Sequence, residues 1–358
     1  MYSGDTITLK EACDLLNISL PTFRKYRKEY SISQIKIQRD VKLSKIEILN
    51  KLFVLLNPTE AKVDLSIHSK STLEDLKIDD TTYDLRKIES IDGHGAISLL
   101  CHFVSEMNFG KSIHLLIDET NSFLKAMNFF GELKRYFNSQ IFLDQEALTA
   151  IPDITYKSII KLPIRRLGIV GTQVKIVDDL TVGLNRQGYS QDICSYIGWA
   201  IGELADNAAT HSKSHPSFVY FEQFGEDRHF LQFTIGDTGI GIPESLRTNP
   251  NYKSLTDPHA LLSSFKPYIS GRPDRENRGK GLTDVLTIAM ECGSRLKVGS
   301  NGIGFSFSFD SGVDNFDQIS PLYRQSGTVI SILFIDGNFA TMEREDAKEY
   351  IDKCLEAL

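Results

Sequence analysis

The stretch Ile201–Ser212, IGELADNAATHS, decides how this chain of 358 residues folds. It closes a run in which Ile193, Ile197, Ile201, Leu204 and Ala208 recur at three- and four-residue steps, the spacing of one buried helix face. Glu203 and Asn207 lie four residues apart and share a second stripe that flanks the apolar one. A carboxylate at the rim of a core is costly unless a partner meets it. The pattern therefore predicts an opening beside the helix, with Glu203 and Asn207 on its wall and Asp206 turned to solvent.

Further stretches belong with it. FTIGDTGIGIP reads as a strand that ends at Asp237 and runs into Gly239 and Gly241. An aspartate at a strand end can accept a hydrogen bond from an exocyclic amine, and glycines let backbone approach a flat ring. RGKGLTDVLTIAMECG places Gly279, Lys280, Gly281 and Leu282 where a helix starts. Free N–H groups and the helix dipole make such a start an anion site. SGTVISILF is a strand with Thr328 at its entry. The polar segment between the glycine pairs reads as a lid. It carries Arg272, Arg275 and Arg278 beside Lys280, and Lys280 is the first choice for a phosphate contact because it lies between two glycines. A P-loop is excluded, since Asp274 stands where its first glycine is needed. His211 and His215 have zinc-pair spacing but no HExxH around them, so His211 reads as structural, and Trp199 reads as a packing residue in preference to a cofactor platform.

Taken in order, these stretches resemble the GHKL ATPase superfamily of gyrase, the heat-shock 90 chaperones, histidine kinases and the MutL mismatch-repair ATPases, over about residues 160–335. The resemblance implies a Bergerat-type α/β sandwich, a mixed sheet under helices, that binds ATP with Mg2+. By the same resemblance Asn207 ligates magnesium and Asp237 reads adenine with support from Thr328. Gly239 and Gly241 form the first glycine box. Gly279, Gly281 and Leu282 form the second, whose amides hold phosphates. Glu203 matches the base that activates water in hydrolysing members and polarises a protein hydroxyl in anti-sigma serine kinases.

Upstream, residues 1–57 carry ten Lys/Arg against six Asp/Glu, while the whole chain is at −7, so a basic head joins an acidic body. The head reads as a helix over Leu9–Leu16, a Ser19-capped helix with Phe23, Tyr26 and Tyr30 on its buried stripe, a short hairpin, and a helix over Lys45–Leu56. TLKEACDLLNIS with the basic second helix and wing resembles the helix-turn-helix of excisionase and MerR-type proteins. That resemblance implies that Thr22, Arg24, Lys25, Arg27 and Lys28 face DNA. The alternative is a solvated face of a protein-binding module. Residues 60–150 alternate strand and helix patterns, including one amphipathic helix over SFLKAMNFFGELKRYF. With IESIDGHGAISLL the segment is similar to STAS domains. Its turn, Asp92-Gly93-His94-Gly95, lacks the serine that partner kinases phosphorylate there, and His94 reads as a helix-entry residue. A helical lead-in is expected at about 165–185, the ATP-binding unit at 155–336 and a terminal helix at 337–358.

Hydrophobic residues make up 41% and charged residues 24%, and no apolar run approaches the ~20 residues of a membrane span. Five scattered cysteines argue for reduced structural thiols. The expectation is a cytoplasmic ATP-binding regulator and slow Mg-dependent ATPase. Its expected partners are DNA, a STAS-like or other regulatory protein, or a second copy, and none is a membrane. The alternative is an anti-sigma-type serine/threonine kinase.

Overall fold

The computed structural model describes residues 6–37, 40–53, 56, 62–69, 71–137, 139–153, 161–167, 172–211, 215–225, 230–271, 279–310, 314–322, 326–335 and 346–358. They form a multidomain α+β molecule.

The head contains β1 (Thr6–Ile7), α1 (Leu9–Leu16), α2 (Leu20–Glu29), β2 (Ile35–Ile37), β3 (Asp40–Ser44) and α3 (Lys45–Ile48). Thr8 and Glu11 close a reciprocal capping box on α1, and Asn17, at φ 51°, ends it in the left-handed conformation. Ser19 caps α2, with Pro21 in its first turn. Phe23 is buried among Ala12, Leu16, Leu43 and Ile48, with Tyr26 and Tyr30 packed at the edge. The expected third helix opens as one α-helical turn, Leu49–Phe53 continues it as a π-helical turn, and Leu56 is again α-helical. Arg24, Lys25 and Lys28 are exposed, and Thr22 and Arg27 are half-buried.

The middle region follows. β4 (Val63–Leu65) pairs in parallel with β7 (Ile88–Ile91). β5 (Lys77–Asp79), β6 (Thr82–Asp84), β8 (Ile113–Leu116) and β9 (Ile141–Leu143) form a sheet in that order. Lys45 of the head reaches Asp79 at 3.1 Å and Thr81 at 3.2 Å. α4 (Gly93–Asn108), capped by Asp92, is buried along nearly its whole length. The single helix expected from Ser122 is split into α5 (Ser122–Ala126) and α6 (Phe129–Phe137). Asn128 sits between them at φ 67°, and its Nδ2 donates to Ile164 O at 3.1 Å. The break lets the chain receive a strand, and asparagine tolerates the left-handed conformation that this requires. α7 (Gln145–Ala150) completes the region.

The C-terminal region begins with β10 (Lys161–Arg166), a strand where the helical lead-in was expected to start, followed by α8 (Thr172–Arg186) and α9 (Gln191–His211). β11 (Ser217–Phe224), β12 (Phe230–Asp237), α10 (Ile242–Arg247), α11 (Asp257–Ser263), α12 (Gly281–Glu291), β13 (Arg295–Ser300), β14 (Ile303–Ser308), β15 (Asn315–Ile319), β16 (Thr328–Ile335) and α13 (Ala347–Glu356) follow. The sheet order is β10-β11-β12-β16-β13-β14-β15. Each described pairing is antiparallel, where a mixed sheet was expected. Hairpins link β11 to β12 and β13 to β14, and β16 returns between β12 and β13 against the direction of both.

Both faces of this sheet are covered. On β12, Leu231, Phe233 and Ile235 pack with the helix side chains Ile197, Ile201, Leu204 and Leu286. The alternate residues face α4: a side chain on Gly236 would stand 2.5 Å from Ile97 and 2.9 Å from Cys101. Phe218, Tyr220 and Val329 share a core with Leu99, Leu100 and Phe103. Polar ties reinforce the contact. Gln232 Nε2 donates to Asp92 at 2.8 Å, and His94 Nδ1 meets Ser331 Oγ at 2.7 Å. His94 is thus a buried helix-entry residue. The middle region and the large sheet share one interior.

Trp199 departs from expectation, with 59% of its surface exposed. On a 3.6-residue helix it lies about 200° round from Ile197, away from the core. The five cysteines are free and buried. Among the described residues no helix is long and apolar enough to cross a membrane.

Because Gly236 is where α4 touches the sheet, Gly236→Val should overpack that contact and cost ~1–3 kcal/mol. Urea unfolding followed by circular dichroism will measure the loss, and an unchanged midpoint would contradict the shared core.

Candidate functional site

The site grows from the register of the sheet. Asp237, the last residue of β12, pairs directly with Thr328, the first of β16, and Thr328 pairs with Ser300, the last of β13. Chain segments far apart in sequence therefore end side by side. Above these ends α9, α10 and α12 enclose a cleft of about 460 Å³, lined by Glu203, Asn207, Asp237, Gly241, Gly281 and Thr328 among others. That volume lies within the ~300–1,000 Å³ usual for small-molecule sites.

Asp237 is 8% exposed and accepts a 2.8 Å bond from Gly239 N–H. Burial pushes its carboxyl up to about 7, and the Gly239 bond opposes that only in part. Gly239 acts through this bond and is not on the cleft wall. The loop beyond is pinned by residues that the sequence reading missed. Asn301 Nδ2 donates to Ile240 O at 3.0 Å, and its Oδ1 accepts from Gly327 N at 3.2 Å. A side chain on Gly241, at φ 77°, would collide with Asn301. Ser300 Oγ accepts from Ile242 N at 2.9 Å and donates to Gly327 O at 2.8 Å. Asn301-Gly302, both with positive φ, is legible as a two-residue hairpin turn. Its role in holding the Asp237 loop is not.

At the opposite end, Glu203 and Asn207 of α9 face the first turn of α12. A side chain on Gly281 would strike Glu203 Oε2 and stand 3.5 Å from Asn207 Nδ2. The N-cap residue Lys280 makes no side-chain cap bond to α12, so among the described residues its first amides are available to a ligand. Burial pushes the Glu203 carboxyl above its ordinary value, and Asp284 and Asp206 add to the effect. Asp206 is exposed at the edge of the cleft, as expected. Gly279, Lys280 and Leu282 also line the cleft, and Gly279 O accepts from Tyr268 N at 2.8 Å.

Arg272, Arg275, Arg278 and the His211 side chain lie outside the described residues. Thr22, Arg24, Lys25, Arg27 and Lys28 lie on α2 of the head and take no part in the cleft. Among the described residues no group of three or more His, Cys, Asp or Glu could hold a metal ion.

No protein-family model matches the chain, and no curated protein matches it. Among solved structures it is similar to a topoisomerase IV ATP-binding domain of Francisella tularensis in complex with a small-molecule inhibitor, at 16% identity and a TM-score of 0.18, over 35% of this chain and 58% of that one. It is also similar to full-length ShkA in complex with AMPPNP, at 12% identity and a TM-score of 0.23, over 70% of this chain and 44% of that one. The chain spans about half the length of these two proteins.

The raised Asp237 value has a signed consequence. Below pH 3 the carboxyl is protonated whether folded or not. Between about pH 4 and 7 the unfolded chain releases a proton that the folded chain still holds, so stability falls across that window and levels off above about 7. Asp237→Asn should therefore stabilise the fold at pH 8, on the order of 1–4 kcal/mol, and leave it unchanged at pH 3. Melting curves at the two pH values test this, and equal shifts at both would contradict it.

Proposed function

We propose that the chain is a GHKL-type ATP-binding regulatory protein, a slow Mg-dependent ATPase whose nucleotide state is coupled to binding of DNA or a partner. The observation that carries this reading is the convergence of Glu203, Asn207, Asp237, Gly281 and Thr328, from separate segments, on one cleft. The residues suit the ligand. A buried carboxylate beside Thr328 can accept from the adenine amine. Bare glycines leave room for backbone to approach the base and the phosphates. The uncapped start of α12 and Lys280 supply positive potential for the phosphates.

Asn207 would hold the Mg2+, which neutralises phosphate charge when bound. Glu203 would orient and deprotonate the attacking water, and its raised proton affinity strengthens it as a base once ionised. Thr328 and Ser300 hold one another at 3.1 Å and keep the Asp237 end of the cleft in place.

The units of this reading are a DNA-binding head over 1–57, a STAS-like region over 60–150, the ATP-binding unit over 155–336 and a terminal helix over 337–358. Thr22, Arg24, Lys25, Arg27 and Lys28 would contact DNA, the arginines reading base edges and the lysines touching phosphate. A second reading, transfer of phosphate to a protein hydroxyl, draws on the same Glu203. The acceptor would then belong to another protein, because the Asp92–Gly95 turn has no hydroxyl and His94 is 2% exposed.

Calorimetric titration with Mg-ATP, paired with phosphate release, tests the main reading. Wild type should bind and turn over. Glu203→Ala should bind within about threefold and lose turnover by ~10²-fold or more. Binding without release, with label moving to a protein, would replace it by the kinase reading. For the head, an Arg24→Ala, Arg27→Ala chain should lose DNA affinity by ~1–3 kcal/mol per base contact. Electrophoretic mobility shift at two salt concentrations measures it, and no DNA binding by wild type would leave the head as a protein-binding module.

A further inference from the structure

At the mouth of the cleft, the segment leading out of α11 folds back against the start of α12. Tyr268 sits there at φ 66°, a left-handed conformation that is a genuine outlier for a bulky residue. Its backbone is held by the bond from its N–H to Gly279 O at 2.8 Å. Gly279 itself, at φ 88°, has no room for a side chain, since a Cβ would stand 2.6 Å from Ile269 O and 2.8 Å from Ile269 N. Two positive-φ backbones are thus locked together, and Tyr268 is left 60% exposed. An aromatic ring held out to water at the cost of backbone strain needs an occupation. It has one: Lys280 Nζ lies over the ring, 4.9 Å from its centroid. Lys280 is the N-cap of α12 and lines the cleft.

We infer that Tyr268 is the positioning residue for Lys280: its ring face holds the ammonium at the phosphate end of the cleft, so that the lysine meets an anionic ligand already oriented. This rests on the nucleotide reading above and adds to it the residue that sets selectivity for a charged, phosphorylated ligand over a neutral one. A flexible lysine loses side-chain entropy on ordering. The ring removes part of that loss before the ligand arrives. The contact at an exposed site is worth a roughly two- to fivefold change in affinity. It acts only where Lys280 acts. The base end, with Asp237 and Thr328, is held by Asn301 and Ser300 and owes nothing to Tyr268.

The test compares full-length wild type, Tyr268→Ala, Tyr268→Phe and Tyr268→Gly by calorimetry against Mg-ATP and against adenosine. Tyr268→Ala should weaken Mg-ATP by roughly two- to fivefold and leave adenosine unchanged. Tyr268→Phe keeps the ring face and should match wild type. Tyr268→Gly relieves the backbone and should melt no lower than wild type, yet bind Mg-ATP as weakly as the alanine variant. In a Lys280→Gln background, Tyr268→Ala should have no further effect. Equal losses for adenosine and Mg-ATP, or full additivity with Lys280→Gln, would overturn the inference while the nucleotide reading stands. Failure of wild type to bind Mg-ATP or adenosine would overturn that reading and this inference with it.

Discussion

Asp237 and Thr328 face each other across β12 and β16, and everything in the cleft depends on that register. The two strands pair over eight residues without a shift, from Phe230–Ile335 to Asp237–Thr328. A one-residue slip would turn Asp237 from the helix side to the α4 side, because side chains alternate faces. Register is strongly specified only where burial punishes the error. Here both faces are buried, one by α9 and α12 and the other by α4. The middle region thus contributes to the cleft without touching it: it makes the second face of the sheet intolerant of a slip.

The contact between α4 and the sheet is partly polar, and the polar groups answer one another. Asp92 caps α4, accepts from Gln232, and is fixed further by Ile67 N–H at 2.7 Å. Ser331 takes His94 on one side and Thr234, at 2.9 Å, on the other. Paired groups of this kind add little net stability, and removing one partner leaves the other buried and unmet. They set one alignment of helix on sheet where a purely apolar contact would permit sliding. The cleft end of the sheet is different in kind. Among the described residues Asp237 accepts a backbone bond from Gly239 and feels the charge of His215, and Tyr268 is held in a strained backbone state. Strain and a buried carboxylate mark the cleft end of the sheet, while Gln232, Asp92, His94 and Ser331 tie its far face to α4.

Much of this was legible one element at a time. Thr8 with Glu11, Ser19 with Pro21, and the Ile197–Ala208 spacing announce their helices, because capping and amphipathic periodicity are local properties. The opening beside Glu203 and Asn207 followed from a carboxylate placed at the edge of an apolar face. Asn301 and Ser300 escaped notice because nothing in VGSNGIG refers to the distant loop that they hold. The break at Asn128 was hidden by a continuous amphipathic pattern on both sides of it, and its cause is a strand that arrives more than thirty residues later. Trp199 carries no local sign of its exposure, because a large aromatic is an ordinary packing residue, and only its angle round α9 puts it in water.

By itself, then, the sequence determined most of the helices and strands, many of their caps, and which residue types stand at strand ends and helix starts. These are fixed by dihedral preferences and by the distribution of apolar side chains within a few residues. Only the tertiary structure decided that the large sheet is antiparallel, that α4 closes its far face, and that the ends of β12, β16 and β13 meet under α9 and α12. Those outcomes depend on which apolar faces bury one another. That choice is made by contacts between residues far apart in the chain, where the free energy of burial outweighs any local preference.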